Sequence, residues 1–109
     1  MKLIRFGSIG KEKTGIIIED KMYDTSAFGE DYNEAFFEND GLNRLTTFIK
    51  ANEGKLPALE EGVRLGPPVA RPSKIVCIGL NYAKHAKETN APIPAEPIIF
   101  FKSTTALVG

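Results

Sequence analysis

Tryptophan is absent from the 109 residues, cysteine and histidine occur once each, and methionine occurs twice. A single cysteine excludes an internal disulfide, and one cysteine with one histidine cannot make a four-ligand zinc site. Cys77 sits in the apolar run 75–78 and reads as a small buried hydrophobe. Net charge is missing as well, because fourteen Lys and Arg balance fourteen Asp and Glu. No net positive field draws such a chain to phosphate backbones or anionic lipid, so neither nucleic acid nor membrane is expected as a partner. Long apolar runs are lacking too. Residues 1–6 carry Lys2 and Arg5 and reach Gly7 before a signal-peptide core can form, and no later stretch approaches membrane-spanning length. A reducing cytoplasm is the expected location. Internal repeats and low-complexity segments are also absent.

What is present suits an ordinary globular protein: 42% of residues are hydrophobic and 26% charged, so no tract is polar enough to demand disorder. Residues 3–6, 15–18 and 22–23 are short apolar runs separated by Gly7, Gly10 and Gly15, a pattern that predicts a small antiparallel meander. Residues 31–38 suit a short helix. Asp40 is placed to cap a second helix whose apolar positions Leu42, Leu45, Phe48 and Ile49 recur at helical spacing, with Asn52 and Gly54 as the stop. Four prolines between positions 57 and 73 deny donors to a central sheet and break helices, so this stretch reads as an extended connector. Beyond it, residues 74–79 suit a buried strand, 81–89 a helix, and 98–102 a second apolar strand after Pro92, Pro94 and Pro97. The chain ends at residues 106–109 on an apolar run without a cap or polar tail, which reads as a severed strand rather than a finished domain.

The densest cluster of chemically capable side chains is Asn81-Tyr82-Ala83-Lys84-His85-Ala86-Lys87-Glu88. His85 and Glu88 are three apart, so a helix puts them on one face. A carboxylate on one imidazole nitrogen fixes the tautomer and raises the basicity of the ring, leaving the other nitrogen free to take a proton from water. The plain reading competes with this one, because histidine–acid pairs on surface helices are commonly solvated and only weakly stabilising. Tyr82 can equally be a packing residue, Asn81 a helix cap and Lys102 a snorkelling surface lysine. Strand, glycine, helix is also how nucleotide-binding units begin. Gly79 stands alone, however, and no Gly-Lys-Ser/Thr phosphate loop exists, so that class is set aside.

The segment Lys74-Ile75-Val76-Cys77-Ile78-Gly79-Leu80-Asn81-Tyr82-Ala83-Lys84-His85-Ala86 resembles the opening motif of the catalytic domain of the fumarylacetoacetate hydrolase (FAH) family. Glu96-Pro97-Ile98-Ile99-Phe100-Phe101-Lys102-Ser103 and Ala106-Leu107-Val108-Gly109 resemble its next strand and turn, and residues 1–69 resemble the small N-terminal domain of bacterial members. The resemblance implies chemistry on 2-oxo and β-diketo acids, including products of aromatic catabolism, by carbon–carbon hydrolysis, decarboxylation or isomerisation through an enolate. It implies His85 as the base that activates water, Glu88 as the acid that orients it, and Tyr82 and Lys102 as substrate-binding residues. It further implies Mg2+ or Mn2+ in the full-length enzyme. The family's metal-binding Glu-x-Glu pair and later acid have no counterpart in this sequence, so no metal is expected to be held by these residues alone.

The expected fold is α+β: a small N-terminal module of antiparallel strands and helices, residues 1–70, then the first strands of a β-rich FAH-type catalytic fold, residues 71–109. The expected partners are a small oxo-acid substrate, the remainder of the catalytic domain and, when complete, a second copy in a homodimer. By this reading the chain alone is inactive. The alternative is a self-contained small binding module without catalysis.

Overall fold

Alternating apolar and turn residues at the start of the chain form the expected meander: β1 (Lys2–Phe6), β2 (Lys13–Ile18) and β3 (Lys21–Asp24) run antiparallel, with Leu3 opposite Ile16 and Ile17 opposite Met22. The β2–β3 turn consists of Glu19 and Asp20, whose φ values of 48° and 62° match the twist of the flanking strands. The computed structural model describes residues 1–109, and the chain divides into two compact units, Met1–Pro72 with Leu107–Gly109, and Ser73–Ala106.

In the first unit the proline-rich stretch is more than a connector. Leu65–Gly66 forms β4, which pairs antiparallel with Arg5 and Phe6, so the sheet order is β3-β2-β1-β4. Ala58 bridges to Tyr23, and the Ala70 amide donates to the Tyr32 carbonyl at 2.8 Å. The prolines flank these pairings at the sheet edge rather than interrupt them, as an edge strand permits.

Two helices cover one face of this sheet. In α1 (Glu34–Glu38) the Asn33 side chain accepts from the Phe36 amide at 3.0 Å, which caps the helix start. Asp40 does occupy the cap position of α2 (Gly41–Ala51), but its φ is 56° and its carboxylate bonds no helix amide; it accepts from the Asn43 side chain at 2.7 Å instead. Gly41 is required there for space, because a β-carbon would collide with the carbonyl and ring of Phe36. Ile16, Tyr32, Phe36 and Leu45 form the fully buried core, flanked by Leu3, Ile18, Tyr23, Phe28, Phe48, Ile49 and Leu56. Burial of each such side chain contributes about 1.5–3 kcal/mol. Leu42, expected on the apolar stripe, is exposed instead.

The polar groups inside this unit are paired. The Tyr32 hydroxyl donates to the Gly15 carbonyl at 3.0 Å, which leaves Thr25 to donate to the Tyr32 oxygen, also at 3.0 Å. Burial pushes the Tyr32 hydroxyl above its ordinary pKa. Arg5 holds Asp31 with two hydrogen bonds of 2.7 and 3.0 Å, and Arg64 reaches Glu12 at 3.0 Å.

The second unit is a hairpin. β5 (Ile75–Gly79) and β6 (Ile98–Lys102) pair antiparallel from Ile75 opposite Lys102 to Gly79 opposite Ile98, and α3 (Ala83–Glu88) lies between them in the chain. The expectation of a buried strand at residues 74–79 fails here, with Val76 56% exposed, and in β6, expected only as an apolar strand, every residue is exposed. Cys77 is half-buried rather than buried. Apolar sequence gives burial only where a second layer exists, and two strands supply none. The architecture is α+β, and no helix is long and apolar enough to cross a membrane.

Candidate active site

Gly79 ends β5, and Leu80 turns the chain with a φ of 46°, an uncommon conformation for a bulky side chain. Tyr82 takes the cap position of α3 in extended conformation without a side-chain bond to the helix, so the cap falls on Tyr82 and not on Asn81. This turn and the proline-rich strand entry face each other across a cleft of about 270 Å³, with residues 78–81 on one side and 94–97 on the other. Asn81 and Glu96 are its polar side chains.

Helical spacing places His85 and Glu88 on one face of α3, with His85 Nδ1 at 3.9 Å from Glu88 Oε2. That distance is within ion-pair range and about 1 Å beyond a hydrogen bond. Both side chains are open to solvent, at 59% and 75% exposure. Tyr82 is exposed at the helix entry, and Lys102 is exposed at the end of β6 opposite Ile75. The structure therefore places His85 and Glu88 near each other without a hydrogen bond, and brings none of the four residues into the walls of the cleft.

Magnesium and manganese need several oxygen donors gathered at short range. Nowhere do three or more His, Cys, Asp or Glu side chains converge in a way that could hold a metal ion. The donors present do not fit such an ion.

The helix expected over 81–89 ends at Glu88, and the residues just after it close its last turn. Asn90 has a φ of 52°, its amide donates to the Lys87 carbonyl at 3.2 Å, and the Ala91 amide donates to the Ala86 carbonyl at 2.9 Å. These are the two bonds of a Schellman motif with asparagine in the left-handed position. The Thr89 hydroxyl adds bonds to the carbonyls of His85 at 3.0 Å and Ala86 at 3.2 Å. The signal was available: asparagine just past a helical run is a recognised stop.

The geometry is thus a solvent-open histidine and carboxylate on one face of a short helix, outside the walls of the cleft. Known proteins similar to this chain carry hydrolase names. A Sphingomonas protein (strain SKA58) named 2,4-didehydro-3-deoxy-L-rhamnonate hydrolase is 41% identical over 110 residues, covering 100% of this chain and 36% of that protein. Proteins of Burkholderia multivorans and Burkholderia lata, named only as provisional hydrolases, are 40% and 39% identical over the whole of this chain and 38% of their own length. The chain thus spans little more than a third of the curated relatives it matches. No protein-family profile matches it.

Proposed function

We propose that these residues form the N-terminal part of an FAH-type hydrolase that acts on 2-oxo or β-diketo acids, and that they contribute its general base. The observation that carries this reading is the His85–Glu88 pair on the exposed face of α3, within a chain whose whole length aligns with a named sugar-acid hydrolase. Glu88 orients the imidazole through Nδ1, and Nε2 takes a proton from water. The hydroxide adds to the carbonyl carbon, and the adjacent carbon–carbon bond breaks with its electron pair passing to the departing carbon as an enolate. The imidazolium returns the proton to that carbon, which restores the base. Tyr82 and Lys102 are proposed to contact the substrate, the lysine ammonium at the substrate's carboxylate.

The resemblance calls for Mg2+ or Mn2+, and decarboxylation or isomerisation would draw on the same enolate. Because the acids of this chain do not converge, the proposal assigns any metal carboxylates to polypeptide of the kind that makes up the remaining length of the relatives. A homodimer of the complete enzyme belongs to the same proposal.

The test is a chimera in which this chain replaces the matching 110-residue segment of the Sphingomonas enzyme, assayed on that enzyme's own substrate. Turnover should persist, His85→Ala should lower it about 100- to 10,000-fold, and Glu88→Gln should lower it less. Undiminished turnover by the His85→Ala chimera would remove the central claim.

A further inference from the structure

The helix that carries the proposed base has six residues, far fewer than the roughly 12–15 at which an isolated helix becomes even marginal in water. Its first turn has no side-chain cap. The fixed end is therefore the last one, and Glu88 is the final helical residue. Fraying of that turn would carry Glu88 off the face of His85, because residues three apart are neighbours only while the helix is formed.

Thr89 sits at this point. Its amide donates to the His85 carbonyl at 3.2 Å, and its hydroxyl donates to the same carbonyl at 3.0 Å and to that of Ala86 at 3.2 Å. One residue thus satisfies the carbonyl of the proposed base twice, while Asn90 and Ala91 close the turn behind it. Two other threonines act as an internal comparison. Thr46 and Thr47 bond back to Leu42 and Asn43 at 2.7 and 2.9 Å, but inside the eleven-residue α2, where the helix does not depend on them.

We propose that Thr89 is a positioning residue that locks the last turn of α3 and so holds Glu88 against His85. The inference rests on the reading of that pair as the acid–base centre. It predicts that the threonine hydroxyl, not its shape, sets the turnover rate without setting substrate affinity.

The test uses Thr89→Val, which keeps the branched shape and loses the hydroxyl, with Thr89→Ser as the rescue and Thr47→Val as the control. In the chimera, Thr89→Val should lower kcat about tenfold, as a small misplacement of a catalytic group does, with KM nearly unchanged. Thr89→Ser should restore kcat, and Thr47→Val should leave it alone. In the 109-residue chain itself, Thr89→Val should move the Cα chemical shifts of residues 85–88 toward coil values while the resonances of β1 to β3 stay in place. Unchanged kcat in Thr89→Val, where His85→Ala is inactive, overturns the positioning role alone. Unchanged shifts at 85–88 overturn the lock, and this readout stands even if the chimera fails to fold. A fully active His85→Ala chimera instead sinks the acid–base reading, so the two failures are distinguishable.

Discussion

Both units are built on apolar strands, yet they use them differently. In the first, β2 lays Ile16 beneath Tyr32, Phe36 and Leu45, and none of these side chains is more than 1% exposed. In the second, Ile98, Ile99, Phe100 and Phe101 are all exposed although they are as apolar as anything in β2. The difference is the second layer. Two helices fold onto the four-stranded sheet, whereas the two-stranded hairpin has one short helix whose only buried residue is Ala86. A lone hairpin is marginally stable at best, so the stability of the first unit comes from packing and that of the second from its ladder and turn bonds.

The broadest way to break that comparison is hydrogen exchange. Amides of β1 and β2 should open only with the whole first unit, while those of β5 and β6 should open locally, with protection lower by roughly a thousandfold or more. Equal protection in the two sheets would show that the hairpin is covered by something the comparison leaves out.

Side-chain removal sharpens it further. Phe36→Ala takes a fully buried ring from contact with Tyr32 and Phe28, and should cost about 3–5 kcal/mol in urea unfolding of the first unit. Phe101→Thr removes a ring that is 68% exposed and keeps a branched strand former, so it should change stability by no more than about 0.5 kcal/mol. A Phe101→Thr cost comparable to that of Phe36→Ala would mean that β6 packs as a core strand.

The same contrast shows what could be read from residues alone. The meander was legible because its glycines and alternating apolar runs act locally, and β6 was legible because prolines bound it before Ile98. The proline-rich stretch does join the two units, but its pairings, Leu65 with Phe6 and Ala58 with Tyr23, were not legible because they depend on partners some sixty and thirty-five residues away. Apolarity at 75–79 and 98–102 announces both strands correctly, but at 75–79 it also suggests a burial that is not there, since burial belongs to what lies on a strand and not to the strand. At the site, spacing found His85 and Glu88 on one face. It did not find Thr89, whose contribution is a pair of bonds to backbone carbonyls that many threonines could make.

The smallest expected effect concerns the charges at the edge of the first sheet. Glu12 has a side chain only 7% exposed, and Arg64 reaches it at 3.0 Å and Arg5 at 3.9 Å. A hydrogen bond from its own backbone amide, then the bond from Arg64 and the charges of both arginines, hold its carboxyl below the ordinary range, against the opposing effect of burial. A carboxyl whose folded pKa is depressed binds its proton less readily in the native state than in the unfolded one. Its contribution is therefore fully present above the ordinary carboxyl pKa and is lost as pH falls through the depressed folded value. Glu12→Gln should accordingly lower the melting temperature at pH 7, and the gap to the parent protein should narrow as the solution is acidified below pH 4.5. Glu30, lowered chiefly by its hydrogen bond to Arg44, shows the same sign at a more exposed pair, so Glu30→Gln should give a weaker version of the same curve. A melting-temperature gap for Glu12→Gln that stays constant from pH 7 to pH 3 would show that Glu12 acts by packing around Gly66, whose nearest side-chain neighbour it is, and not by its charge.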